Sequence, residues 1–154
     1  MFTHLLLPTD GSPLSDLAVQ QGIAFARELG AKVTGLHVLP SIHVLALAPV
    51  SIEEDRQQFD ARMRELADQY LGKLSALATQ SDVLCDTLAV EHVHPYLAII
   101  ETARTRNCDL IVMASHGRRG MQALLLGSET QKVLTHSEIP VLVIRRGSGA
   151  NSGS

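Results

Sequence analysis

The stretch LIVMASHGRRG, residues 110–120, joins an uninterrupted apolar run to a loop of small and polar residues. The apolar run stops at Met113, and a helical pattern resumes after Gly127 and Ser128. A short apolar run bounded by glycines indicates a strand that is buried on both faces. The stretch therefore predicts a strand, a loop and a helix in succession, which is the unit from which parallel α/β sheets are built.

The same alternation runs along the whole chain. Helices are predicted to begin at Pro13, after an N-capping Ser12, and at Ser51, Pro95 and Ser128. Strands alternating with helices predict an α/β fold of the Rossmann-like type, a doubly wound five-stranded parallel sheet of order 3-2-1-4-5 with helices on both faces. The predicted strands are Leu5–Leu7, Lys32–Val38, Val83–Val90, Asp109–Met113 and Val141–Ile144.

Length and composition limit the class of protein. The 154 residues, 45% hydrophobic and 19% charged, predict one domain over residues 1–146 and a disordered Gly/Ser-rich tail over residues 147–154. A net charge of -3 without a basic cluster argues against nucleic acid as a partner. Because the chain shows neither a secretory signal nor an apolar window of about 20 residues, we expect a cytoplasmic protein without a membrane partner. Cys85 and Cys108 lack metal-ligand spacing and are expected to be reduced thiols.

The predicted strand order places two polar turns together. In doubly wound sheets, ligands bind beyond the carboxyl ends of the strands, where the strand order reverses. Here that position lies between the first and fourth strands, which brings residues 8–12, PTDGS, beside the loop of residues 114–120. Glycines in such a loop and the amino terminus of the following helix can bind a phosphate. Two alternatives stay open: the loop is only a connecting turn, and Asp10 either binds a ligand or caps the first helix.

Other chemistries receive little support from the residues. The chain has neither a Walker A motif nor GxGxxG after the first strand, and no nucleophile elbow, so no catalytic residue is assigned. His92 and His94 flank Val93 but lack an evident third metal ligand. The apolar segment Ile42–Val50 is expected to cover the ligand pocket or a second subunit. The last strand, as an exposed sheet edge, is expected to pair with its own copy.

Residues 2–146 resemble the universal stress protein family. LLLPTDGS at residues 5–12 is similar to the family's first strand and turn, and LHV at residues 36–38 to the end of its second strand. The family's ATP-binding pattern is Gly, two residues, Gly, nine residues, then Gly-Ser or Gly-Thr. That pattern falls on Ala114, Gly117 and Gly127-Ser128, so three of its four positions match.

The resemblance implies ATP, or AMP or ADP, as ligand, with Mg²⁺ beside the phosphates and at most slow ATP hydrolysis. It also implies a cytoplasmic homodimer formed through Val141–Ile144, a stress-response role and a protein partner that the sequence does not identify. The metal ligands stay unknown. The candidate contacts are Pro8, Thr9, Asp10 and Val38 for adenine and ribose, and Gly117, Gly127, Ser128, Glu129 and Thr130 for phosphate. Met113, Ala114 and His116 are further candidate contacts of the nucleotide, and His116 either touches a phosphate or hydrogen-bonds to backbone.

Two residues depart from the family's pattern. Ala114 replaces the first glycine, which is tolerable where the backbone φ is negative but causes crowding where φ is positive or the methyl touches phosphate. Glu129 places a carboxylate beside the expected phosphates and would repel a triphosphate by about 1 kcal/mol. Two other functions therefore remain in view. One is an interaction module that acts through its dimer surface and apolar segment without nucleotide, and the other is a small-ligand or metal binder that uses His37, His92 or His94.

Overall fold

The computed structural model describes residues 1–41, 53–117 and 125–147. The predicted helix start at Ser51, the apolar segment Ile42–Val50, Arg118 to Gly120 of the loop, and the tail beyond Gly147 lie outside these residues. Nine elements follow one another: β1 (His4–Pro8), α1 (Pro13–Leu29), β2 (Lys32–Pro40), α2 (Glu53–Gln80), β3 (Cys85–His92), α3 (Pro95–Thr105), β4 (Leu110–Ala114), α4 (Ser128–His136) and β5 (Val141–Ile144).

The strands form one parallel sheet in the order β3-β2-β1-β4-β5, which confirms the predicted fold and strand order. Successive side chains of a strand point to opposite faces, so the three leucines of β1, all fully buried, divide between two cores. Leu5 and Leu7 pack with α1 and α2 on one face, and Leu6 packs with α3 and α4 on the other. Within the described residues, no helix combines the length and apolar character needed to cross a bilayer.

The first helix begins and ends as its sequence predicts. Ser12 accepts a hydrogen bond from the Ser15 N–H at 3.3 Å, and Pro13 occupies the first helical position. At the other end, Gly30 adopts a φ of 66° and closes the helix, because glycine enters the left-handed region without a steric cost. The start of α1 thereby fixes the position of the turn that precedes it.

The third strand differs from its prediction in position and character. The Val83 N–H donates to the Ala78 carbonyl oxygen at 2.9 Å, with Asp82 at φ 56°, so Val83 belongs to the closing turn of α2. The strand therefore starts at Cys85 instead of Val83. It lies at the sheet edge and its residues are partly exposed throughout, so the expectation of a continuously buried strand is wrong for β3.

A polar network ties the strands together near their amino ends. The Nε2 of His4, a residue that is 6% exposed, lies 2.7 Å from the Thr34 hydroxyl. That hydroxyl donates to Asp86 at 2.6 Å, and Arg106 donates to the second oxygen of the same carboxylate at 2.8 Å. Since the single hydroxyl hydrogen of Thr34 points to Asp86, His4 must be the donor to Thr34, so its Nε2 carries a proton.

Candidate functional site

A cavity of about 470 Å³ lies at the carboxyl ends of β1 and β4, where the strand order reverses. The predicted meeting of the two polar turns is therefore observed as far as Gly117. All twelve candidate residues line this cavity: Pro8, Thr9, Asp10, Val38, Met113, Ala114, His116, Gly117, Gly127, Ser128, Glu129 and Thr130. Five other lining residues were not among the candidates: Ser15, Leu36, His37, Pro95 and Ile99.

The Asp10 carboxylate reaches both sides of the cavity. Its Oδ1 accepts a hydrogen bond from the Ser12 N–H at 2.9 Å, which closes the turn after β1. A β-carbon placed on Gly117 would overlap its Oδ2. Because the Ser12 hydroxyl caps α1, Asp10 shapes the turn without being the helix cap. This arrangement leaves one edge of the carboxylate at the boundary between the two loops.

Hydroxyl and imidazole groups surround Thr9 in the cavity floor. The Ser15 hydroxyl donates to the Thr9 hydroxyl at 2.9 Å, and the Asp10 N–H donates to the Ser15 hydroxyl at 3.2 Å. His37 Nδ1 donates to the Thr9 carbonyl oxygen at 2.8 Å, so Nε2 of the neutral ring is an acceptor. The Tyr70 ring packs edge-on against His37, with centroids 5.3 Å apart. The sequence named His37 only for a small-ligand or metal site, since a hydrogen bond to a carbonyl 28 positions away leaves no local pattern.

The backbone permits alanine at position 114. Ala114 ends β4, and in the described part of the chain only Asp82 and Asn107 combine a side chain with a positive φ. Its carbonyl oxygen accepts a hydrogen bond from the Thr130 hydroxyl at 2.9 Å, which ties the strand end to the first turn of α4. The expected negative φ at this position is thus confirmed, whereas contact between the Ala114 methyl and a phosphate stays a prediction.

The amino terminus of α4 lies at the cavity without a side-chain cap. Gly127, its N-cap residue, donates its own N–H to the Ser115 carbonyl oxygen at 2.7 Å. A β-carbon on Gly127 would stand 3.0 Å from the Cα of His116, so the two ends of the loop approach closely. The first N–H groups of a helix have no acceptor within it, and Ser128, Glu129 and Thr130 carry these groups into the cavity wall. They can bind an anion.

The Glu129 carboxylate reaches from α4 to α3. Its Oε2 accepts a hydrogen bond from the Tyr96 N–H at 2.9 Å, and its Oε1 lies 3.5 Å from Lys132 Nζ. The N-cap residue of α3, His94, provides no side-chain cap, so Glu129 performs that role from a neighbouring helix. From the sequence, this carboxylate was expected to act only at the amino terminus of α4, and its contact with α3 was not predicted.

His92, His94 and His116 make contacts with residues that are near them in the sequence. His92 Nδ1 accepts a hydrogen bond from the His94 N–H at 2.8 Å, and its Nε2 lies 3.8 Å from Glu101. His116 Nδ1 lies 3.2 Å from the Gly117 carbonyl oxygen. Across residues 1–41, 53–117 and 125–147, no three His, Cys, Asp or Glu side chains are grouped so that they could hold a metal ion.

Fold and cavity together define a doubly wound parallel α/β domain with a cavity at its switch point. The sequence profile of the universal stress protein family matches residues 1–145. Universal stress protein MJ0531 of Methanocaldococcus jannaschii is 30% identical over 146 residues, which cover 95% of this chain and 84% of that protein. The chain belongs to the universal stress protein family.

Solved structures share the fold over nearly the whole chain. The structure of MJ0577, from the same archaeon, matches with a TM-score of 0.81 and 26% identity, and covers 96% of this chain and 98% of its own. A universal stress protein in complex with cAMP matches with a TM-score of 0.67 and 20% identity, covering 94% and 97% of the two chains. An Archaeoglobus fulgidus universal stress protein in complex with dAMP matches with a TM-score of 0.66 and 16% identity, and the match covers 94% of this chain and 98% of that chain. Some proteins of this fold therefore bind adenine nucleotides.

Proposed function

We propose that this chain binds an adenine nucleotide in the cavity between β1 and β4 and that nucleotide occupancy is a signal in a stress response. The observation that carries the proposal is the contact between the Asp10 turn and the Gly117 loop, beside the uncapped amino terminus of α4. A polar turn on one side and free N–H groups on the other suit a ligand that joins a sugar to a phosphate. The cAMP and dAMP complexes of proteins with this fold support adenine as the base.

Different parts of the ligand are assigned to the two sides of the cavity. Base and ribose are assigned to Pro8, Thr9, Asp10 and Val38, with the acceptor Nε2 of His37 available to a hydroxyl or amine. Phosphate is assigned to the α4 side, where N–H groups and a helix dipole favour negative charge. The residues on that side are Gly117, Gly127, Ser128, Glu129 and Thr130, and Met113, Ala114 and His116 form the wall between the two parts.

ATP with Mg²⁺ is the form of ligand that the family resemblance implies. Mg²⁺ is usually bound by one or two carboxylates together with substrate phosphates, and Asp10 is positioned to supply one of them. We propose at most slow hydrolysis, since phosphoryl transfer depends on cationic groups around the transferred phosphate. Among the described lining residues there is no lysine or arginine. Nucleotide bound here would persist, which suits a switch.

We further propose a cytoplasmic homodimer formed through β5. This strand lies at the sheet edge and pairs with β4, while Leu142 stays 39% exposed. Pairing with a second copy would bury that side chain and satisfy the strand edge. Exposed apolar side chains, Leu142 and also Leu134 at 41%, favour the second candidate function, an interaction module that works without nucleotide.

Native mass spectrometry separates these functions. The protein is purified without added nucleotide, its bound mass and subunit number are measured, and it is then titrated with AMP, ADP and ATP with Mg²⁺, using GTP as the base control. A dimer that carries or acquires adenine nucleotide in preference to GTP supports the proposal. A folded dimer that binds none of them at millimolar concentration would leave the interaction module as the function.

A further inference from the structure

We infer that Glu129 makes the cavity favour nucleotides with one phosphate over nucleoside triphosphates. This inference rests on the proposed function and specifies its ligand. Two helix amino termini border the cavity, because Pro95 and Ile99 of α3 line it together with the first turn of α4. Each such terminus attracts an anion. Only one of the two is open to a ligand, and the difference lies in a single carboxylate.

The amino terminus of α3 already holds an anion of the protein's own. Glu129 Oε2 accepts the Tyr96 N–H at 2.9 Å, in the first turn of that helix. A phosphate extending from α4 towards α3 would therefore meet a carboxylate at the position where an open helix would offer an N–H group. The first phosphate, held by the α4 N–H groups, does not compete for this position. Further phosphates do.

Charge in the cavity wall acts in the same direction. The described lining residues include the Glu129 carboxylate, which reaches the cavity wall from the first turn of α4. Lys132 lies 3.5 Å from Glu129 Oε1 and offsets part of the charge, but its side chain is 48% exposed, and water screens such pairs. ATP carries about two more negative charges than AMP, so repulsion from this wall falls mainly on ATP.

The substitution Glu129→Gln tests the charge while keeping the contact. A glutamine side chain has an oxygen that can still accept the Tyr96 N–H, so the cap of α3 and the fold are retained. Glu138→Gln is the matched control, because it removes the same charge from an exposed residue beyond α4 that does not line the cavity. A difference in nucleotide affinity between the two variants therefore reflects the position of the removed charge and not the change in net charge.

The measurement is isothermal titration calorimetry of AMP and ATP against the wild type and both variants, without Mg²⁺, at 0.05 M and 0.5 M salt. We expect wild type to bind AMP at least as tightly as ATP. Glu129→Gln should shift the ratio of the two dissociation constants towards ATP by about fivefold at low salt and less at high salt, and Glu138→Gln should leave it unchanged.

Two results would overturn the inference alone: a ratio that changes less than twofold in Glu129→Gln, or a wild type that binds ATP more tightly than AMP. If wild type binds neither nucleotide while folded, the proposed function itself fails, and the inference with it. The two failures are thus distinguished by whether wild type binds any nucleotide.

Discussion

The Oδ2 atom of Asp10 lies where a β-carbon on Gly117 would stand, so the turn after β1 and the loop after β4 are in direct contact. Gly117 is not among the described glycines with positive φ, which are Gly11 and Gly30. The constraint on a side chain at position 117 is therefore the close approach of the Asp10 carboxylate, which would have to shift, and not the backbone conformation. This distinguishes it from the glycines that are needed for turns.

We expect Gly117→Ala to weaken adenine nucleotide binding about tenfold. The added methyl displaces the Asp10 carboxylate, which also loses its hydrogen bond from the Ser12 N–H. Loss of that charged hydrogen bond should lower the free energy of unfolding by about 1–3 kcal/mol. Calorimetric titration measures the first effect and urea denaturation the second.

Gly72→Ala is the control for this substitution. Gly72 lies in α2, and a β-carbon there meets nothing within 4 Å. Alanine should stabilise the helix by about 1 kcal/mol and leave nucleotide affinity unchanged. Wild-type affinity in Gly117→Ala would show that the Asp10 carboxylate can move without consequence for the ligand.

Alanine should be tolerated less well at Gly11 than at Gly30. Both glycines have positive φ, 76° and 66°, which costs a side chain about 1–2 kcal/mol. At Gly30 the β-carbon enters open space, whereas at Gly11 it overlaps the Tyr70 ring. We expect Gly11→Ala to lose at least about 1 kcal/mol more unfolding free energy than Gly30→Ala. Equal losses on chemical denaturation would mean that the ring moves aside freely.

Stability should fall as the pH drops below the ordinary histidine pKa. Burial of His4, followed by the charge of Lys32, lowers the pKa of its imidazole in the folded state. The unfolded chain then takes up the proton first, near pH 6.5, so stability falls below that pH and levels off below the folded-state pKa. Between these two values the slope is about 1.4 kcal/mol per pH unit.

Urea denaturation of wild type and His4→Gln between pH 7.5 and 5 measures this dependence, with His136→Gln as the control. His136 is exposed at the end of α4, so its substitution should leave the slope as in wild type. A wild-type slope that persists in His4→Gln would assign the dependence to another group.

Both cysteines should resist alkylation in the folded protein. Burial raises the pKa of the Cys85 thiol and of the Cys108 thiol to about 11, with the negative charge of Asp86 acting in the same direction. Since the thiolate is the reactive form, iodoacetamide at pH 7.5 should react about two orders of magnitude more slowly than with the unfolded chain. Mass spectrometry over time measures this. Rapid labelling of Cys85, which is the more exposed of the two, would contradict it.

Sequence patterns predicted what local and periodic signals encode. The parallel sheet followed from alternating strands and helices, and, once the order 3-2-1-4-5 was adopted, the cavity lining followed from the rule that ligands bind at the switch point. What the patterns missed depends on contacts between distant residues. Tyr96 and Glu129 are 33 positions apart, so the residues around Glu129 in the sequence do not indicate that its carboxylate caps α3. The start of β3 was misplaced for a local reason, because Val83 completes α2 and apolarity alone does not distinguish a helix closure from a strand.

The network of His4, Thr34, Asp86 and Arg106 lies near the amino ends of the strands, whereas the cavity lies at their carboxyl ends. Residues that hold the strands together are therefore largely separate from residues that meet a ligand. Over evolutionary time, such a domain can accumulate changes in its cavity, such as Ala114 and Glu129, while retaining the same sheet. Divergence of ligand preference among proteins with this architecture thus requires few compensating substitutions elsewhere.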